Sequence, residues 1–510
     1  MSTEIVIIQL PSIKISKTSR HTMKLLLGIV LHILNISIVS PLTAQPANKK
    51  SMHPNIIIIN MDDMGYGDIE PYGMTGIPTP NFNRVAQEGT RLTHFNVGQG
   101  ICTASRAALL TGCYPNRLGM SGVLLPPDKY ALNPNEETIA SLLKKNHYVT
   151  GMFGKWHLGN KAPYFPLHYG FDKFYGLPYS HDVWPVNYDG KSLVTDTADR
   201  RSKNPLLTLL DGDKPVDTLR NIDDQTKLTT LFTEKAVSFI RENRKDPFFL
   251  YLAHPMPHVP LAVSDKFKGK SELGLFGDVI MELDWSLGQI LKVLDDEKLA
   301  ANTLLIVTSD NGPWLSFGNH AGSSGGLREG KSTIWEGATR VPCMIRWPGK
   351  VEAGAVNSKL LTNMDLLPTI VAATGAMQPK NKIDGLDFLS LLTGKTNKGP
   401  RDVFYYYFGI KSNNLQAVRY KNWKLVLPHP SGSYSALHGK DRRPGAILKV
   451  DVPMALYDLA HDPGEAYDVQ KLYPGMVQKI LGLAEQARED MGDDLTKRPG
   501  KNLRQPVTYQ

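Results

Sequence analysis

Two short runs, Asn55 to Asn60 (NIIIIN) and Thr303 to Ser309 (TLLIVTS), constrain this 510-residue chain more than any other feature. Each is apolar, rich in β-branched residues, and lacks the alternation of a strand that shows one face to water. That pattern belongs to strands buried on both faces, as in parallel sheets covered by helices. Helix-like segments such as ETIASLLKKN and LFTEKAVSFIRENR, and the strand-like YVTGMFGKW and PFFLYLAH, lie between the two runs. The alternation predicts an α/β fold with a large, mostly parallel (mixed) sheet sandwiched by helices.

Both runs end in hard oxygen donors. Asp62 and Asp63 follow the first, Asp310 and Asn311 the second. In α/β sheets the carboxyl ends of strands open into the ligand crevice. Either pair alone reads most simply as turn or capping residues. Together, three carboxylates and an amide would repel one another without a cation. An oxygen-only set with no His/Cys cluster favours calcium, and less so magnesium, over zinc.

The stretch ICTASRAALLTG, Ile101 to Gly112, predicts a short helix ended by Gly112. Cys102 at its start faces the positive end of the backbone dipole and unpaired N–H groups, where an anion can be held. Arg106, four residues on, lies over the same face. A packed, inert cysteine and a reactive one both fit this segment. In GMFGKWHLG, Lys155 and His157 are two residues apart, so an extended segment would turn both to one side and Trp156 to the other.

Taken together, ICTASRAALLTG, DDMGYGD, SDNGP and GKWHLG resemble the motifs of the formylglycine-dependent sulfatases, most closely the arylsulfatase A-like branch. The resemblance runs from about Pro54 to Asp468. It implies an alkaline-phosphatase-like fold and conversion of Cys102 to Cα-formylglycine, whose hydrate is the nucleophile. It also implies a metal held by Asp62, Asp63, Asp310, Asn311 and residue 102, with calcium expected. By the same resemblance Lys155 contacts the sulfate and His157 holds and deprotonates the hydrate, and Arg106 is expected to bind the sulfate with Lys155. His258 in AHPMPHVPL and Lys331 in REGKSTIWEG stand near the leaving-group oxygen as alternative acids, and Ser180 in GLPYSHD contacts substrate. One departure is Ala104, where the family motif usually has proline. It implies a maturase of the radical-SAM type, which accepts alanine. His181, His254 and His320 stand near these motifs as supporting residues.

The function implied is hydrolysis of sulfate monoesters, with a sulfated carbohydrate or an aryl sulfate as substrate. A phosphonate monoester or phosphodiester hydrolase of the same superfamily is the alternative, as is a non-catalytic binder of sulfated glycans if Cys102 is not matured. The formal net charge of +9 suits an acidic substrate. No basic run with interleaved aromatics or zinc-finger spacing points to nucleic acid.

Lys24 before LLLGIVLHILNISIV, with small residues at Thr43 and Ala44, marks residues 1–44 as a signal peptide, with Met23 a possible true start. Export to the periplasm or medium follows, and no stable membrane anchor is expected. A tether spans 45–53 and the catalytic domain 54–376. A connecting segment covers 377–400, a C-terminal antiparallel sheet with one helix covers 401–495, and a tail ends the chain at 496–510. Asp189 to Asp224 has little periodicity and reads as a long loop or insertion. The GSSGG run at 322–326 reads as a flexible loop before Lys331. With Cys102 consumed chemically, Cys113 and Cys343 allow at most one disulfide.

Overall fold

A computed structural model of the chain describes residues 53–509 except Thr197. The signal peptide and nearly all of the tether lie outside the described residues. Ten strands form the main sheet: β1 (Asn55–Met61), β2 (Thr90–Leu92), β3 (Val149–Lys155), β4 (Lys173–Leu177), β5 (Leu207–Asp211), β6 (Lys214–Leu219), β7 (Phe248–Ala253), β8 (Thr303–Ser309), β9 (Cys343–Arg346) and β10 (Ala355–Asn357). Their order is β10-β2-β9-β8-β1-β7-β3-β4-β5-β6. The central strands β8, β1, β7, β3 and β4 are parallel, and antiparallel strands extend both sides.

The apolar runs are buried on both faces, as their composition predicts. Ile57, Ile59 and Met61 of β1 enter one core, with residues of α1 (Pro80–Glu88), α4 (Leu228–Glu242) and α5 (Gly274–Asp296). Ile56 and Ile58 enter the other, with α2 (Cys102–Thr111), α3 (Ile139–Lys145) and α6 (Leu366–Thr374). The period-two alternation of a strand thus distributes one isoleucine run between two helical layers. Gly154 sits where no side chain fits: its φ is 113°, and a Cβ there would lie 1.9 Å from the Ala253 carbonyl oxygen of β7. This close approach lets β3 carry Lys155 to the sheet's carboxyl edge.

Beyond the main sheet, β11 (Val403–Tyr407), β12 (Leu415–Tyr420), β13 (Trp423–Val426) and β14 (Ala455–Asp458) form an antiparallel sheet that packs on α7 (Pro474–Met491). Its core includes Ala108, Trp335 and Met364, so it is continuous with the α/β part. Near the end of the chain, Val507–Thr508 pairs with Tyr130–Ala131.

Two expectations change. Residues 189–224 are not simply a loop: they contain the β5–β6 hairpin at the sheet edge. Four residues of β6 are exposed, so no hydrophobic alternation announces it. The 322–326 run is tied down, because Asp68 accepts the amides of Ser323 (2.6 Å) and Gly65 (2.5 Å). Cys113 and Cys343 are both buried and unpaired.

Candidate active site

Parallel pairing sets Met61 beside Ser309, so β1 and β8 release their next residues at the same edge. The Asp63 amide donates to Asp310 Oδ1 (3.1 Å), and Asn311 Nδ2 donates to Asp63 Oδ1 (2.7 Å). Asp63 takes a left-handed φ of 65°, a conformation kept only where the surroundings over-determine it.

Cys102 opens α2 and is buried, and Gly112 ends the helix at φ 70°. The Cys102 sulfur and one ligand atom each from Asp62, Asp63 and His258 all lie within 4.8 Å of one another. Parallel strands and a helix start thereby join groups that are far apart in sequence.

Three cations meet the three carboxylates. Lys155 Nζ donates to Asp62 (2.5 Å), Lys331 Nζ to both oxygens of Asp63 (2.8 and 2.9 Å), and Arg106 Nη2 lies 2.7 Å from Asp310 Oδ2. The repulsion inferred from sequence is therefore balanced within the chain. Asp62 Oδ1 and Asn311 Oδ1 nevertheless lie buried without a hydrogen-bond partner among the described residues. Orphaned hard oxygens beside further carboxylates fit a divalent cation of the calcium or magnesium type.

The electrostatics follow from burial and these pairs. Burial opposes ionisation of Asp62, but Lys155, His258 and Arg106 hold its carboxyl well below the usual range. Burial and the neighbouring Asp62 charge push Asp310 up to about 7. Burial also pushes the Cys102 thiol up to about 12, so an unmodified cysteine here is protonated and a poor nucleophile. Burial and Lys155 keep His157 well below its usual value, hence neutral. Its Nε2 lies 2.8 Å from the Leu124 carbonyl, which places the proton there and leaves Nδ1, without a partner among the described residues, as a free base.

A cavity of about 270 Å³ opens over this centre. Cys102, His157, Ser180, His258 and Lys331 line it, so five of the expected residues share one wall. Lys155 and Arg106 lie behind that wall. The Lys155 ammonium is bonded to Asp62, and Arg106 also donates to the Lys155 carbonyl (2.9 Å). The extended geometry expected for Lys155 and His157 differs too: β3 ends at Lys155, and His157 takes φ 64°.

Among the expected supporting histidines, His181 stacks edge-on against His258, with ring centroids 5.3 Å apart. His254 turns into the core and meets Ser286 Oγ (2.9 Å). His320 lies with Asp63 and Trp314 around a small adjoining cavity.

Sequence reasoning missed Asp182, Tyr188, Arg201 and Trp314, which also line the main cavity. Tyr188 donates to Asp182 (3.1 Å), whose carboxyl His258 and His181 hold down to about 2 against the effect of burial. The Trp314 ring lies 5.0 Å from Lys331 Nζ and 5.7 Å from the His258 ring. Asp182 ends the motif GLPYSHD and Trp314 directly follows SDNGP, so both carried an available signal. Arg201 comes from the aperiodic 189–224 stretch and Tyr188 immediately precedes it, so neither carried a local signal.

Comparison with known proteins agrees with this geometry. Residues 54–376 match the sulfatase family model, residues 329–445 the C-terminal region of N-sulphoglucosamine sulphohydrolase, and residues 399–507 the C-terminal region of aryl-sulfatase. Arylsulfatase A of Bos taurus is 37% identical over 84% of this chain and 87% of its own length. The N-acetylgalactosamine-6-sulfatase of Homo sapiens is 38% identical, covering 86% of each. Among solved structures, the PsFucS1 sulfatase from Pseudoalteromonas sp. superposes with a TM-score of 0.76 at 29% identity, over 86% of this chain and 90% of that one. The fold is that of the alkaline-phosphatase-like enzymes. The chain belongs to the sulfatase family and is a sulfuric ester hydrolase.

Proposed function

We propose that this enzyme removes sulfate from sulfated carbohydrates, using a nucleophile made from Cys102 and one calcium ion. The observation that carries the reading is the cluster of Cys102, Asp62, Asp63 and His258, of which Cys102 and His258 line the cavity. A relative named for N-acetylgalactosamine 6-sulfate supports the substrate class. Asp62, Asp63, Asp310 and Asn311, with residue 102, would hold the calcium, whose charge offsets that of the sulfate oxygens. Hydrated formylglycine at position 102 supplies one hydroxyl to attack sulfur and a second whose deprotonation releases sulfate.

The remaining roles fall to the chain's own groups. His157 Nδ1, neutral and unpartnered, takes the proton from residue 102. Lys155 and Arg106 act from behind the wall, fixing Asp62 and Asp310 and adding positive potential where sulfate binds. His258 delivers a proton to the departing oxygen as the S–O bond breaks, with Lys331 beside it as fixed positive charge. Ser180 lines the cavity and is available to substrate.

Ala104 lies in the first turn of α2, fully buried, where a backbone N–H has no intrahelical acceptor in any case. Alanine and proline both suit that position, and alanine points to a radical-SAM maturase. Residues 1–44 carry the proposed export signal, and no helix among the described residues is long and apolar enough to cross a membrane. The test is a matched pair of aryl sulfate and aryl phosphodiester substrates. Sulfate turnover should dominate, be lost on calcium chelation, and require a residue-102 peptide lighter by about 18 Da than its cysteine form. Preferential phosphodiester cleavage would overturn the assignment.

A further inference from the structure

A second cavity lies against the first. Pro127 lines both, and the neighbours Ile410 and Lys411 line one each. Val123 likewise faces the first and Ser121 the second. Three chain segments therefore form a common partition between the catalytic cavity and a larger groove floored by the C-terminal residues 498–508.

The groove contains polar groups that the fold leaves unsatisfied. Asn116 is only 4% exposed, and neither its Oδ1 nor its Nδ2 has a hydrogen-bond partner among the described residues. Asn413 gives its Nδ2 to the Met491 carbonyl, and its Oδ1 is buried without a partner among the described residues. Both residues line the groove, with the hydroxyl-bearing Ser121, Ser412 and Thr508. Buried amides without partners are costly, so such groups at the wall of a cavity point to a ligand that completes them.

The charges indicate what kind of ligand. Three cationic side chains in the wall are already paired: Lys411 with Asp128, Arg498 with Glu485 and Arg504 with Glu136. Lys129 and Asp494 remain, opposite in sign. The groove thus offers amides and hydroxyls with little net charge, suited to neutral hydroxyl groups rather than a second sulfate.

We propose that this groove is a carbohydrate subsite, in which Asn116 and Asn413 hydrogen-bond the hydroxyls of uncharged sugar units adjoining the sulfated one. The enzyme then acts on oligomers in preference to single sugars. This rests on the hydrolase reading above, and the experiment separates the two. The probes are an aryl sulfate, which needs only the first cavity, and disaccharides and hexasaccharides that carry one sulfate on an otherwise neutral backbone of the galactan, fucan or carrageenan type.

With matured enzyme, the best hexasaccharide should exceed its disaccharide at least tenfold in kcat/KM. Ser412→Trp, which fills the groove from a partly exposed position, and Asn116→Ala should each abolish most of that gain while aryl sulfate turnover is retained. Equal efficiency on both lengths overturns the subsite. So does a length preference that neither variant changes, or failure on every oligosaccharide by an enzyme that cleaves the aryl sulfate. Failure of the matured enzyme on the aryl sulfate as well would overturn the hydrolase reading itself.

Discussion

Lys331 Nζ donates to both carboxylate oxygens of Asp63, at 2.8 and 2.9 Å, across 268 residues of sequence. Although burial works against its charge, Asp63 and its neighbours hold Lys331 well above the ordinary lysine range. A lysine so firmly protonated is a poor proton donor and a good fixed charge. In the proposed mechanism His258 therefore serves as the acid. His258→Ala should lower kcat by about 10²–10⁴-fold for alkyl sulfates and much less for nitrophenyl sulfates, whose leaving groups need no proton. Lys331→Met should depress both alike. Rates measured against leaving-group pKa check this, and a steeper dependence in Lys331→Met than in His258→Ala would reverse the assignment.

Cys102 packs at the start of α2 with almost no exposed surface. Cys102→Ala removes one small buried atom, which should cost about 1 kcal/mol. Thermal unfolding should therefore stay close to wild type while sulfate ester turnover falls to background. Retained turnover would exclude residue 102 as the nucleophile.

The C-terminal sheet is tied to the loop that follows Lys331 by buried ions. Lys424 on β13 lies 2.7 Å from Glu465 and 3.3 Å from Glu336, while Tyr406 donates to Glu336 (2.6 Å). Lys424→Met leaves two buried carboxylates without their shared cation and should destabilise by about 3–5 kcal/mol. Chemical denaturation measures it. A change below 1 kcal/mol would show the network to be structurally idle.

Stability should also depend on pH through Glu465. Burial and the nearby Glu336 raise its carboxyl to about 7 from an ordinary 4.5, against the pull of Lys424. Between these values the folded state holds a proton that the unfolded state has lost. The contribution is complete below 4.5 and disappears as pH rises through 7, so stability should fall across that window. Melting temperatures from pH 5 to 8 should decline for wild type and less for Glu465→Gln. An equal slope in both would remove Glu465 as the cause.

Much of the site was legible in the chain itself. The runs before Asp62 and Asp310 carry four consecutive apolar side chains each, Ile56–Ile59 and Leu304–Val307, which demands burial on both faces, and buried parallel strands end together at a ligand crevice. Cys102 at a helix start and the histidines inside sulfatase-like motifs were equally local. The β5–β6 hairpin was not legible, because an exposed edge strand has no apolar period to read.

Sequence by itself determined the buried parallel core, the helix that presents Cys102 and the chemical types gathered around it, since each follows from local pattern. Only the tertiary structure decided which charges meet. It set Arg106 and Lys155 behind the cavity wall as partners of Asp310 and Asp62, and brought Trp314 and Tyr188 to the cavity. It also laid the groove of Asn116 and Asn413 beside that cavity. Ion pairing and desolvation depend on distances across the fold, which local sequence periodicity does not encode.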